Sequence, residues 1–145
     1  MKKRLIALVL LLCIILSCTS CKRTKLQYYS QKENYITAEG TVAFIAYNDD
    51  SSFVTYSLDN VTPFFDDRGF KLVGDNLVIA QENGIDELIK VGDTIKFVSA
   101  PKYFGDGYIF PIVALSKDDR VFLEFEEGYS NLIQWIKALS WIEAL

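Results

Sequence analysis

The chain has 145 residues, half of them apolar and 14% aromatic, with 15 basic and 19 acidic side chains and no histidine. This is room for one domain with a real core, and it is neither a low-complexity nor a disordered composition. All acidic residues lie after Cys18, leaving 12 basic against 19 acidic residues beyond it and 8 against 19 from Glu33 onward, a balance that opposes nucleic-acid binding.

The missing histidines remove the commonest neutral-pH base and the commonest metal ligand. Cys13, Cys18 and Cys21 are the only cysteines, so the body has no disulfide and no thiolate metal site. No cofactor and no metal are expected.

Met1 to Arg4 is a short cationic start, followed by an unbroken apolar run from Leu5 to Leu16. The run is shorter than the roughly 17–25 residues of a membrane-spanning helix and fits the apolar region of a secretion signal. It ends in Ile15-Leu16-Ser17-Cys18, an aliphatic residue, a hydrophobic one, a small one and a cysteine. This stretch resembles the lipobox of bacterial lipoproteins. The resemblance covers Met1 to about Cys21 and implies cleavage before the cysteine and a diacylglyceryl group on its sulfur. Cys18 is favoured as the lipid-attachment residue because Ile15 and Ser17 occupy the flanking positions. Cys21 is the alternative, preceded by the small Ser20. An uncleaved short anchor and a conventional signal cut elsewhere are the competing readings. Two or more acyl chains anchor stably where one is marginal, and Lys22, Arg23 and Lys25 would meet anionic head groups.

The expected organisation is therefore a signal peptide over 1–17, a lipidated cysteine and tether over 18–34, and a β-rich domain over 35–145. The expected location is a bacterial cell membrane or outer membrane, lipid-anchored and facing the extracytoplasmic side.

Along the body, short apolar and alternating runs separated by turn residues predict strands. Thr41–Tyr47 and Phe53–Leu58 flank Asn48-Asp-Asp-Ser-Ser52 as a hairpin, with Val54, Tyr56 and Leu58 on one side. Asp59 to Gly69 is a loop in which Phe64 and Phe65 are expected to fold back as a plug of the barrel end, with an exposed hydrophobic contact point as the alternative. Phe70–Val73 and Leu77–Ala80 read as strands, Gly84–Lys90 as a helical turn, and Thr94–Ser99 as a strand. A second hairpin is expected to turn near Gly105-Asp-Gly107 and return over Tyr108–Leu115, with Pro111 marking an edge or a bulge. Alternation from Val121 to Glu126 predicts a last strand. A helix follows from Ser130, its cap, to Leu145.

Mainly β (α+β), with five or six short strands, a small helical element before Val91-Gly-Asp93 and a terminal helix, the body resembles a small oligosaccharide/oligonucleotide-binding-type (OB-like) barrel over roughly Thr37 to Leu115. Such barrels grip ligands on an aromatic-lined face, and Tyr47, Phe53, Tyr56, Tyr103, Phe104 and Tyr108 are candidates for one. Trp135 and Trp141 lie 600° apart around the terminal helix at 100° per residue, so they point to different sides: either one enters the core and the other is left for a partner, a dimer or the membrane interface, or the helix sits in a groove contacted on two sides.

Adjacent carboxylates recur at Asp49-Asp50, Asp66-Asp67, Asp118-Asp119 and Glu126-Glu127. Turn acids account for them better than a glycosidase pair, which needs two carboxyls about 5–9 Å apart across a cleft. Ser99-Ala-Pro-Lys102 has the spacing of a penicillin-recognising acyl enzyme, but Pro101 opposes the helix that chemistry needs. The expectation is a non-catalytic envelope module binding a protein partner or a small ligand. The alternatives are a carboxylate-based envelope hydrolase and a structural subunit of an envelope complex.

Overall fold

A computed structural model describes residues 25–63, 65, 69–102 and 110–142, apart from the side chains of 140–142. Six strands form the body: β1 (Ile36–Tyr47), β2 (Phe53–Thr62), β3 (Gly69–Val73), β4 (Thr94–Ser99), β5 (Phe110–Lys117) and β6 (Arg120–Leu123). Between β3 and β4 lie α1 (Asp75–Glu82) and α2 (Ile85–Leu88), and α3 (Phe125–Ile142) closes the described chain.

The first hairpin forms as its turn chemistry dictates. Asn48 Oδ1 accepts the Phe53 amide at 2.8 Å, and the Asp50 carboxylate accepts the Ser52 amide at 3.0 Å. These bonds satisfy turn donors that no ladder can reach. β1 is long enough to pair with β2 through Glu39–Tyr47 and with β4 through Ile36–Thr41. The strand order β3-β2-β1-β4-β5-β6, with β3 also pairing parallel to β5 at Phe70↔Phe110 and Lys71↔Pro111, closes the sheet into a ring. The expected small OB-like barrel is thus present, with its helical element between the third and fourth strands and its helix at the C-terminal side.

The barrel interior holds Val42, Val54, Tyr56, Leu58, Phe70, Leu72, Ile95, Phe97, Phe110 and Ile112, each at most 1% exposed. Phe65 turns inward from its loop as expected, edge-on to Phe70 and Phe110 at ring separations of 5.1 Å in both cases. Such edge contacts suit the quadrupole of the rings.

Two elements depart from expectation. Leu77–Ala80 is helical, not a strand. Gly74, at a φ of 53° that favours glycine, redirects the chain after β3, and the buried residues then fall at helical spacing, Leu77 and Ala80 inside with Val78 outside. α3 begins at Phe125, not at Ser130, and the last strand stops at Leu123. Glu126 and Glu127 in its first turn complement the positive end of the helix dipole, and Ser130 lies inside the helix. Pro111 is not on an edge, because β5 is flanked by β3 and β4. A register shift opposite Val98 and Ser99 makes the neighbouring Val113 the bulged residue.

A second apolar cluster lies on the outside of the barrel, where Val73, Ala100, Val113 and Leu132 are packed with Phe53, Val98, Phe125, Trp135 and Ile136. It seats α3 against the β3–β5 seam. Residues 25–35 join the same cluster. Tyr29 is buried, and Tyr35 meets Phe125 and Tyr129 edge-on at 5.9 and 5.6 Å. Tyr129 Oη donates to Ser30 O at 2.7 Å, and Lys32 Nζ donates to Glu126 Oε2 at 2.5 Å. From Lys25 onward, then, the segment expected to be a tether is docked on the domain.

Candidate functional site

The outer face of β1–β2–β3 is built by a bulge. Between Val42↔Leu58 and Phe44↔Ser57 the first strand advances two residues while the second advances one. Without that shift Phe44 would follow Val42 into the core, because side chains two apart share a face. With it, Phe44 points outward and is 61% exposed, while Ile45 and Tyr56 pair on the inner side. Bulges commonly re-aim side chains in this way at functional positions.

Around Phe44 the same face carries Ser57, its cross-strand partner, and Ala46, Thr55 and Lys71, which stand in one row across three strands. Lys71 Nζ lies 4.3 Å from the centre of the Phe53 ring. Partial burial holds the Lys71 ammonium below its ordinary range, and it pairs with no carboxylate among the described residues. A cation over an aromatic face is favourable and leaves hydrogen-bond donors for a ligand. The patch combines an exposed ring, two hydroxyls and one ammonium. Such groups can make apolar, cation–π and hydrogen-bonding contacts with a partner.

Of the aromatic candidates from the sequence, Tyr47 is 43% exposed at the end of β1 and its hydroxyl donates to the Asp86 carboxylate. Burial, with the Asp86 carboxylate adding to it, pushes the Tyr47 phenol above its ordinary value. Tyr56 is 1% exposed and belongs to the core, so its ring is on no surface. Its inward position follows from the alternation with Val54 and Leu58. Trp135 is half-buried in the outer cluster, where a Cβ added to Gly74 would lie 3.2 Å from its Cδ1. Cys18, Cys21, Tyr103, Phe104, Tyr108 and the side chain of Trp141 lie outside the described residues. Phe44 and Lys71 are the residues that sequence reasoning passes over; a bulge inside an apolar run leaves no local signal.

The acidic pairs in the described residues serve separate turns. Asp49-Asp50 caps the first hairpin, Asp118-Asp119 forms the β5–β6 turn with Asp118 at φ 53°, and Glu126-Glu127 opens α3. Among the described residues no group of three potential ligands converges on a metal position. Asp93 is instead held by Lys117 Nζ at 2.7 Å and the Lys90 amide at 2.7 Å, and these bonds keep its carboxyl below the usual range.

On the far side of the barrel, Thr37, Lys96, Val98, Ser116, Val121 and Phe125 line a shallow groove of about 190 Å³. Pockets for small organic ligands typically run about 300–1,000 Å³, so this groove is short of that class. No family model, curated protein or solved structure significantly matches the chain.

Proposed function

We propose that the protein is a bacterial envelope lipoprotein, held by lipid on Cys18, with Cys21 as the alternative, whose OB-like barrel is a non-catalytic module that binds a protein partner. The observation that carries the binding reading is the outward Phe44, set by a bulge among Ser57, Thr55 and the Lys71–Phe53 pair. An exposed aromatic flanked by hydrogen-bonding groups resembles the centre of an interaction patch. The open outer face around Phe44 and the small groove opposite favour a protein surface over a small molecule. The anchoring reading rests on the Ile15-Leu16-Ser17-Cys18 sequence and the cationic, apolar stretch before it.

Two measurements test the proposal. Intact mass of the membrane-extracted protein reports the cut and the acyl load together; a form that retains Met1 with unmodified cysteines ends the anchoring reading. A photo-reactive amino acid at position 44, compared with one at the exposed position 78 on α1, tests the face. Crosslinks to one defined envelope protein from position 44 alone support it, and equal or absent crosslinking overturns it.

A further inference from the structure

β1 keeps an open edge beyond Val42. Its pairing with β4 stops at Thr41↔Thr94, and Val42 is the last residue bonded on that side among the described residues, donating to Asp93 O at 2.8 Å and accepting from the Gly92 amide at 2.7 Å. The chain turns away there, since the Asp93 amide donates to Lys90 O at 3.1 Å and closes a turn with Gly92 at a φ of 96°. On the other side, the ladder to β2 decides which backbone groups are already used. Asn48 N donates to Phe53 O, so bonded pairs recur at Ala46↔Thr55 and Phe44↔Ser57, and the intervening Ile45 and Tyr47 turn their N–H and C=O groups away from β2. Those groups have no backbone partner among the described residues.

An open strand edge is a template on which an extended chain can pair, held by main-chain bonds and selected by alternate side chains. The side chains around this edge are apolar: Phe44 and Tyr47 on the strand and Val91 on the adjoining turn are 61%, 43% and 63% exposed. Charge selects the occupant. The same end of the barrel, made of α1, α2 and the turns at 48–52, 90–93 and 117–120, carries nine carboxylates and three cations. All three cations are engaged, Lys117 with Asp93, Lys90 Nζ with Asp86 O at 2.7 Å and Arg120 with Asn83 O at 2.8 Å. Asp86 is bonded to Tyr47, and Asp49 stands two residues beyond it. A second copy pairing edge to edge would bring two such ends together, which like charge opposes. The same field attracts a segment that carries lysine or arginine.

We propose that β1 takes up an extended, basic segment of the partner protein as an added strand, bonded to the backbone of Ile45 and Tyr47 beside Phe44 and Val91. This rests on the reading above that the Phe44 face binds a protein. It adds the partner's chemistry, a segment in which apolar and cationic residues alternate, so that one side meets the exposed apolar groups and the other the acidic surroundings.

The test uses the full-length protein in detergent micelles with two short synthetic peptides, one alternating lysine with valine and one with glutamate in place of lysine. Amide hydrogen exchange is read residue by residue by NMR. The Ile45 and Tyr47 amides are expected to exchange freely in the protein alone and to slow several-fold with the lysine peptide, an effect that fades in high salt, while the glutamate peptide leaves them unchanged. Unslowed exchange at both amides, or equal slowing by the glutamate peptide, overturns the proposal. Slowing that grows with protein concentration in the absence of peptide places a second copy on the edge and overturns it too. The crosslink from position 44 is read separately: if it still captures one envelope protein, the binding face stands without strand addition, and if it is lost as well, the face falls with it.

Discussion

Gly128 of α3 lies so close to Val113 of β5 that a Cβ on the glycine would stand 2.1 Å from the Val113 carbonyl oxygen. Nothing flexible can yield there, because the atom met is backbone. A glycine inside a helix normally costs about 1 kcal/mol relative to alanine. Here it is what lets the helix lie on the sheet.

Gly128→Ala is therefore expected to destabilise, by about 1–3 kcal/mol net, because overpacking against backbone outweighs the gain in helix propensity. The urea midpoint by circular dichroism reads this. An unchanged or higher midpoint would show that α3 can lift away freely.

The same junction is pinned from a third element. Asn76 of α1 is 1% exposed, and its Nδ2 donates to Gly128 O at 2.9 Å and to Ile112 O at 3.4 Å. Replacing it with alanine removes a buried donor from two carbonyls, and a loss of about 1–3 kcal/mol is expected. In a double-mutant cycle with Gly128→Ala the two effects should be non-additive, since both act on one contact. Simple additivity would mean that Asn76 stabilises α1 alone.

Leu132, 2% exposed in the outer cluster with Val73 and Val113, tests whether α3 is core or spare surface. Leu132→Ala should cost about 2–5 kcal/mol by chemical denaturation, as a buried large-to-small change does. A cost within about 0.5 kcal/mol, the range of ordinary surface substitutions, would instead fit a helix reserved for another subunit.

Alkaline pH should loosen the fold from the docked segment. Burial, with Tyr28 adding to it, pushes the Tyr29 phenol up to about 12 from an ordinary value of 10, and burial raises Tyr35 and Tyr56 as well. A phenol raised in the folded state favours the protonated form. Its contribution is complete below pH 10 and is lost as pH climbs through 10 toward 12 and beyond. Denaturant midpoints should fall across that window. Tyr29→Phe, which cannot ionise, should flatten the fall, and an identical slope in the variant would remove Tyr29 as a cause.

Phe44→Glu should leave the thermal midpoint nearly unchanged, because the ring is 61% exposed and its loss opens no cavity. Crosslinking from a neighbouring position such as Ala46 to the proposed partner should be abolished. Retained crosslinking would separate Phe44 from the proposed binding face.

The barrel was legible because strand alternation is a local signal: Val54, Tyr56 and Leu58 share a face in the sequence and in the core alike. The misreadings have non-local causes. Leu77-Val-Ile-Ala80 is apolar enough for a strand, and only Gly74 and the bonds of Asn76 make it a helix. Gly128 argues against a helix in any window of sequence, and its reason lies fifteen residues back, at Val113. The docked segment depends on partners such as Glu126, 94 positions from Lys32. For the candidate site, periodicity names Tyr56 as an inward residue, but the outward turn of Phe44 depends on a bulge defined only by its pairing with β2. Lys71 gains meaning only when β3 brings it over Phe53.

The clasp between residues 25–35 and α3 also decides how the molecule bears a pull. Tension arriving along the backbone from the N-terminal side meets Tyr29, Tyr35 and the Lys32–Glu126 bridge before it reaches the first strand. That load is shared with α3, through the contacts of Ser30, Lys32 and Tyr35 with Tyr129, Glu126 and Phe125, before the β1–β2 pairing bears it.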